Sequence, residues 1–165
     1  MKERYILRFV EKIKSKELAK KIVNWEYPSP YDIYNMNNDK ETIREILNED
    51  YYAYSYNDIL IGYFCYGKPA RVPNDDPNLY EDEKYLDIGV GMNPKLWGEG
   101  RGYNFFNKAV DAAYDIYEKE KYRLTVAEFN QRAIKVYMKY GFRKESEFIK
   151  KKDDKRTKFL IMTYN

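Results

Sequence analysis

Histidine is absent from the 165 residues, and cysteine occurs once, as Cys65. Without histidine, Ser-His-Asp and Cys-His nucleophilic schemes fall away, and with them most zinc sites. Acid–base chemistry is left to carboxylates, tyrosines, lysines or water. A single cysteine cannot form an internal disulfide, and no charged-then-apolar leader precedes the first expected strand, so the reading is a cytoplasmic protein. Long apolar runs are lacking too. The longest, residues 59–66, is strand-sized against the roughly 20 residues needed to cross a bilayer, which predicts no membrane association through a span. Thirty basic residues against twenty-seven acidic ones leave a formal charge of +3. That balance argues against nucleic-acid binding through bulk electrostatics.

Aromatics are abundant instead. Nineteen tyrosines and eight phenylalanines can build a pocket that is apolar in body yet able to hydrogen-bond. The length suits one domain over 1–165, large enough to bury a core without metals or disulfides. Residues 5–10 alternate as a first strand, and 12–25 place Ile13, Leu18, Ile22 and Trp25 near helical spacing. Prolines 28 and 30 break that helix and leave an aromatic loop from Trp25 to Tyr34. A short helix over 39–47, capped by Asp39, precedes strands 51–56 and 59–66, joined at an Asn57-Asp58 turn. Residues 67–84, with Asp75, Asp76, Glu81, Asp82 and Glu83, read as an exposed acidic excursion. In the next strand Leu86, Ile88, Val90 and Met92 share one face. Asp87, Gly89 and Gly91 share the other, and that glycine face leaves room for something to lie close. Helix 103–117, strand 123–129 and helix 131–140, between an Asn130 cap and a Gly141 stop, follow. A hairpin of 142–150 with 158–163 around Asp153-Asp154 closes the chain.

The most informative stretch runs from Asp87 to Gly102, an alternating strand leading into a glycine-rich turn that opens a long amphipathic helix. Gly98, Gly100 and Gly102 allow backbone conformations closed to other residues and let an anion approach the amides. The unpaired N–H groups of the helix start then favour a pyrophosphate, with about 0.3–1 kcal/mol from the dipole alone. Taken by itself, the same glycine spacing also suits a plain strand-to-helix turn.

A second pattern resolves the alternatives. Asn130, Ala133, Tyr137, Gly141 and Phe142 fill Asn-x-x-Ala-x-x-x-Tyr-x-x-x-Gly-Phe, and residues 97–102 fill a motif ending Gly-x-Gly/Ala at a helix start. Together these resemble the two motifs of the GNAT superfamily of N-acetyltransferases. Trp97 stands where Gln or Arg is usual, as in the branch that includes ribosomal-protein N-terminal acetyltransferases. The resemblance implies an α/β acyl-CoA N-acyltransferase fold of the α+β type, with a central mixed, mostly antiparallel sheet flanked by helices. It also implies acetyl-CoA as co-substrate, no metal, and direct transfer of the acetyl group to a primary amine of a small molecule or protein N-terminus. A non-catalytic CoA-binding sensor with the same fold is the alternative, and a homodimer stays open.

The resemblance also assigns roles. The strand edge at Val90, Gly91 and Met92 would meet the pantetheine arm, with the central strand bulging near Gly89 and Gly91. Trp97, Gly98, Glu99, Gly100, Arg101, Gly102 and Tyr103 would surround the diphosphate. Asn130 reads both as helix cap and as partner of the cofactor arm. Tyr137 matches the family's general acid, against the alternative of a packed core tyrosine. Asp87 stands where many relatives carry a base, against a plain strand aspartate, with Glu128 as second candidate. Trp25, Tyr31 and Tyr34 would wall the acceptor side, Trp25 leaning to core and Tyr31 to site. Cys65 reads as a small buried residue.

Overall fold

The structure of the protein, a computed structural model, describes residues 9–165. The expected first strand, 5–10, lies mostly outside the described residues, and β1 spans Val10–Lys12. Ile13, which fitted the helical spacing, continues the strand direction, its amide donating to the Tyr51 carbonyl at 2.9 Å. Helix α1, Lys16–Val23, begins only after Ser15, whose hydroxyl accepts the Leu18 amide at 3.2 Å. A 3-10 turn at Tyr31–Tyr34 leads to α2, Lys40–Asn48, capped by Asp39 as expected through the Thr42 amide.

β2, Tyr51–Tyr56, and β3, Ile59–Tyr66, form a hairpin whose turn residues Asn57 and Asp58 have φ of 51° and 63°. Those angles match the twist of the flanking strands. Next come β4, Leu86–Met92, α3, Gly102–Tyr117, β5, Tyr122–Ala127, and α4, Gln131–Tyr140. β5 stops at Ala127 rather than 129, because the Asn130 amide turns back to the Ala127 carbonyl at 2.9 Å and sets up the cap of α4. β6, Arg143–Lys152, and β7, Lys155–Tyr164, form a longer closing hairpin than expected, turning at Asp153 and Asp154.

The strands make one seven-stranded sheet in the order β1-β2-β3-β4-β5-β7-β6. All neighbours are antiparallel except β4 and β5. That exception positions the site. β4 and β5 pair only at Leu86 with Tyr122 and at Asp87 with Arg123, then part, so the sheet opens as a fork.

One face of the sheet buries Phe64, Tyr66, Ile88, Leu124 and Phe142 against α3 and α4, and the other buries Ala53 and Cys65 against α1 and α2. α3 buries Phe105, Phe106, Ala109, Val110, Ala112 and Ala113, a broad stripe because the helix packs on both β4 and α4. Phe106 meets the rings of Tyr137, Tyr140 and Phe142 at 4.7, 5.6 and 5.5 Å. Truncating such a ring costs about 3–5 kcal/mol.

Two expectations for the middle of the sheet fail. The glycine face of β4 is not open: a Cβ on Gly91 would stand 2.1 Å from the Tyr63 ring, and one on Gly89 would stand 2.6 Å from Cys65 Sγ. Side chains of β3 fill the space the glycines leave. Nor does β4 bulge, since its register with β3 is unbroken from Ile88 opposite Tyr66 to Met92 opposite Gly62. The excursion 67–84 is also tied down. The Tyr80 hydroxyl accepts the Val72 amide at 3.1 Å and bonds Thr125 Oγ1 at 2.7 Å, while Arg123 donates to the carbonyls of Tyr80 and Asp82. Among the described residues no helix is long and apolar enough to cross a membrane.

Candidate functional site

The turn after β4 requires glycine. Gly98 and Gly100 have φ of 81° and 70°, a region that costs other L-residues about 1–2 kcal/mol each. Arg101, preceding α3, supplies no side-chain cap. The opening amides of α3 thus keep the partial positive charge of a helix start. Basic side chains surround them, with Arg132 over the Trp97 ring at 5.4 Å and Lys139 over the Tyr103 ring at 4.2 Å. Uncapped amides, a positive-φ turn and fixed cations together make an anion cradle.

A cavity of about 810 Å³ runs from this cradle through the fork. Gly98, Gly100 and Gly102 line one end, Val90 and Val126 line the fork, and Tyr51, Tyr63, Cys65 and Arg71 line the part beyond, towards α2. Arg101, Lys135 and Lys139 also line it, and among the described residues none that lines it is Asp or Glu.

Residues 18–142 match the profile of the Acetyltransferase (GNAT) family. The chain belongs to this family. No curated protein matches it. Among solved structures, a GNAT-family acetyltransferase from Bacillus anthracis is 15% identical, with 94% of this chain and 92% of that one covered at a TM-score of 0.68. A SpeG spermidine N-acetyltransferase chimera from Vibrio cholerae and hSSAT is 16% identical, with coverage of 93% and 92% at 0.70. The yncA protein of Salmonella typhimurium, whose structure holds its cofactor acetyl-CoA, is 14% identical, with coverage of 94% and 91% at 0.61. At such identities the likeness concerns the fold, which is the GNAT fold.

Of the site residues expected in this GNAT chain, all but Glu99, Trp25, Asp87 and Glu128 line this cavity. Glu99 pairs with Arg101 at 2.5 Å. Trp25 stacks on Tyr63 at 6.2 Å as part of the core below α1. Tyr31 meets Trp97 edge-on at 5.3 Å, and Tyr27 stacks flat on Trp97 at 5.0 Å while its hydroxyl donates to the Met92 carbonyl at 2.9 Å. The aromatic loop therefore braces the glycine turn. Tyr34 reaches further, accepting from the Ala127 amide at 3.2 Å and from Asn130 Nδ2 at 3.5 Å. Asn130 meanwhile caps α4, its Oδ1 accepting the Ala133 amide at 3.2 Å.

Tyr137 packs on Phe106 and faces the cavity. Burial, and secondarily the neighbouring Tyr34, push its hydroxyl pKa well up, so it keeps its proton at neutral pH. Asp87 is placed differently from expectation. It is 2% exposed, and both oxygens accept from guanidinium groups: Oδ1 from Arg123 Nε at 2.7 Å, Oδ2 from Arg123 Nη2 at 2.8 Å and from Arg71 Nε at 2.9 Å. Both oxygens are thus committed to guanidinium groups, and Asp87 does not line the cavity. Glu128 pairs with Lys158 at 3.6 Å and lines a separate concavity. Cys65 is buried as expected, and burial pushes its thiol up to about 12.

Arg132, Lys135 and Lys139 went unread in the sequence although they sit on one face of α4, and that helical spacing was the available signal. Arg71, Tyr51 and Tyr63 had no local signal. They meet only through the sheet.

Proposed function

We propose that this GNAT-family protein moves the acetyl group of acetyl-CoA directly onto a primary amine, without an acyl-enzyme. The observation that carries the reading is the fork, where β4 and β5 part and the cavity between them starts at an uncapped, glycine-built helix end. The residues present fit the cofactor that yncA holds. Amides from Gly98 to Gly102, with Arg132, Lys135 and Lys139, would hold its diphosphate. The edge of β4 beyond its pairing with β5, at Val90, Gly91 and Met92, would meet its amide-bearing arm, and Asn130 would face that arm from α4.

When bound, acetyl-CoA supplies an activated acyl carbon and a sulfur leaving group. An attacking ammonium gives up two protons in all. One goes to the departing sulfur and one to solvent, as the carbon–nitrogen bond forms and the carbon–sulfur bond breaks, leaving an amide and free CoA. Tyr137 is the proton donor on this reading, its burial keeping it in the protonated state a general acid starts from. Cys65 is no nucleophile, because a thiol raised to about 12 stays protonated at neutral pH. With no carboxylate among the described residues that line the cavity, water takes the first proton from the amine.

Calorimetry with CoA and acetyl-CoA, followed by thiol release over a panel of amines, tests the proposal. No uptake of either carrier at millimolar concentration overturns it. The engagement of Asp87 by two arginines favours one competing reading, a CoA-binding sensor without turnover. Uptake without thiol release on any amine, in wild type and Tyr137→Phe alike, would select the sensor.

A further inference from the structure

One carboxylate faces two guanidinium groups at the closed end of the fork. Asp87 engages Arg123 through both oxygens and Arg71 through Oδ2, so this cluster carries one uncompensated positive charge. The nearby Asp82 carboxylate is already paired with Lys84 at 3.4 Å. Arg123 is 3% exposed, with its remaining donors directed at the carbonyls of Tyr80 and Asp82. Arg71 is 36% exposed, lines the cavity, and donates from Nε to Asp87. Its terminal nitrogens have no hydrogen-bond acceptor among the described residues. The Tyr80 ring, 5.5 Å from the Arg71 guanidinium, helps to hold it in place. The surplus charge and the available donors therefore belong to Arg71.

Position along β4 separates Arg71 from the anion cradle. Asp87, to which it is tied, precedes Met92 by five residues, about 17 Å at about 3.4 Å per residue. The glycine turn lies beyond Met92 and has Arg132 and Lys139 of its own. Arg71 instead shares its end of the cavity with Tyr51, Tyr63 and Cys65. Glu45, whose charge is felt at Cys65 and Tyr51, does not line it. Among the described residues of that lining a polycationic acceptor would find no counter-charge, whereas a carboxylate would find a fixed guanidinium fork.

We infer that the acceptor is an amine bearing a carboxylate, an amino acid or a close analogue, and that Arg71 grips the carboxylate while the amine faces the fork. This rests on the acetyl-transfer reading above. The test is thiol release with matched acceptors: amino acids, their amides, the decarboxylated amines, and spermidine. Carboxylate-bearing acceptors should exceed their neutral counterparts in kcat/KM by about tenfold to a hundredfold, the range of a charged hydrogen-bonded pair. Arg71→Gln should collapse that ratio and leave calorimetric CoA affinity unchanged. Arg71→Lys, which keeps the charge beside Asp87, should fall between and guards against a glutamine variant that does not fold. Equal or better turnover of neutral or polycationic amines overturns the inference, as does an Arg71→Gln loss shared equally by all acceptors. Should CoA bind but no amine turn over, ligand-observed NMR with N-acetyl amino acids on the CoA-loaded protein decides: binding lost in Arg71→Gln supports the inference, and no binding to wild type overturns it. Failure to bind CoA is a separate result, which removes the acetyl-transfer reading itself.

Discussion

Arg123 holds Asp87 with two parallel hydrogen bonds, Nε to Oδ1 at 2.7 Å and Nη2 to Oδ2 at 2.8 Å, at the last pairing before β4 and β5 separate. Such bidentate contacts are directional as well as strong. The two side chains are 3% and 2% exposed, so the pair fixes where the fork begins and, through Arg71, what charge its far wall presents.

Asp87→Asn should therefore act first on stability. It leaves Arg123 buried without its counter-charge, a loss of about 3–5 kcal/mol, which is a large share of a domain's 5–15 or so. Urea unfolding measures this. In the fraction that stays folded, the rate should keep the wild-type dependence on pH, with KM for the acceptor raised through a loosened Arg71. A stable variant whose rate loses its acidic limb would restore Asp87 as the base.

Two glycines of the same turn should respond in opposite ways. A Cβ at Gly102, inside α3, would meet only Val136 Cγ2 at 3.4 Å, and alanine in a helix is favoured over glycine by up to about 1 kcal/mol. Gly102→Ala should leave Tm unchanged or raised while weakening CoA binding, because on the proposed cradle the methyl crowds the amides that would meet the diphosphate. Gly100→Ala should lose about 1–2 kcal/mol of stability, since alanine resists its positive φ. Thermal melts with calorimetry separate the two. If Gly102→Ala binds CoA as wild type does, the cradle is elsewhere.

Tyr137→Phe keeps the ring that packs 4.7 Å from Phe106 and removes the hydroxyl. On the general-acid assignment kcat should fall by about 10²–10⁴-fold, with CoA affinity within about twofold of wild type. Single-turnover kinetics beside calorimetry gives both numbers. An unchanged kcat would make Tyr137 a packing residue.

Features whose causes lie within a few residues were legible before the fold was known. Asn130 caps α4 through Ala133, Gly141 takes φ of 125° to end it, and Phe142 then drops into the core at 1% exposure; all of this is local, which is why the second motif could be read outright. The turn at Asn57-Asp58 and the cap at Asp39 belong to the same class. What failed depended on partners far along the chain. Ile13 obeyed a helical period yet bonds Tyr51, Gly91 looked open yet faces the Tyr63 ring, and Asp87, read as a base or a plain strand aspartate, meets Arg71 and Arg123. The glycine-turn end of the cavity was thus legible from one turn and one helix, while its far end, assembled from β2, β3 and the pinned excursion, was not.

Alkaline pH should destabilise the protein in a defined window. Burial raises the Cys65 thiol from 9.0 to about 12, and raises the hydroxyls of Tyr51, Tyr63 and Tyr66 above their ordinary 10.0. In the native state these groups keep their protons where the unfolded chain has lost them. Above about pH 9, then, the unfolded state binds fewer protons, and stability must fall as pH rises. Each group adds at most about 1.4 kcal/mol per pH unit once its unfolded form is ionised. Urea unfolding between about pH 7 and 11 should show a flat region to about 9 and a steepening decline beyond about 10, where the tyrosines join. Cys65→Ala should delay the onset towards the tyrosine range, and native Cys65 should resist iodoacetamide at about pH 8.5 until urea exposes it. Rapid native labelling, or stability that rises with pH across this window, would mean that the thiol and these hydroxyls are not buried in their neutral forms.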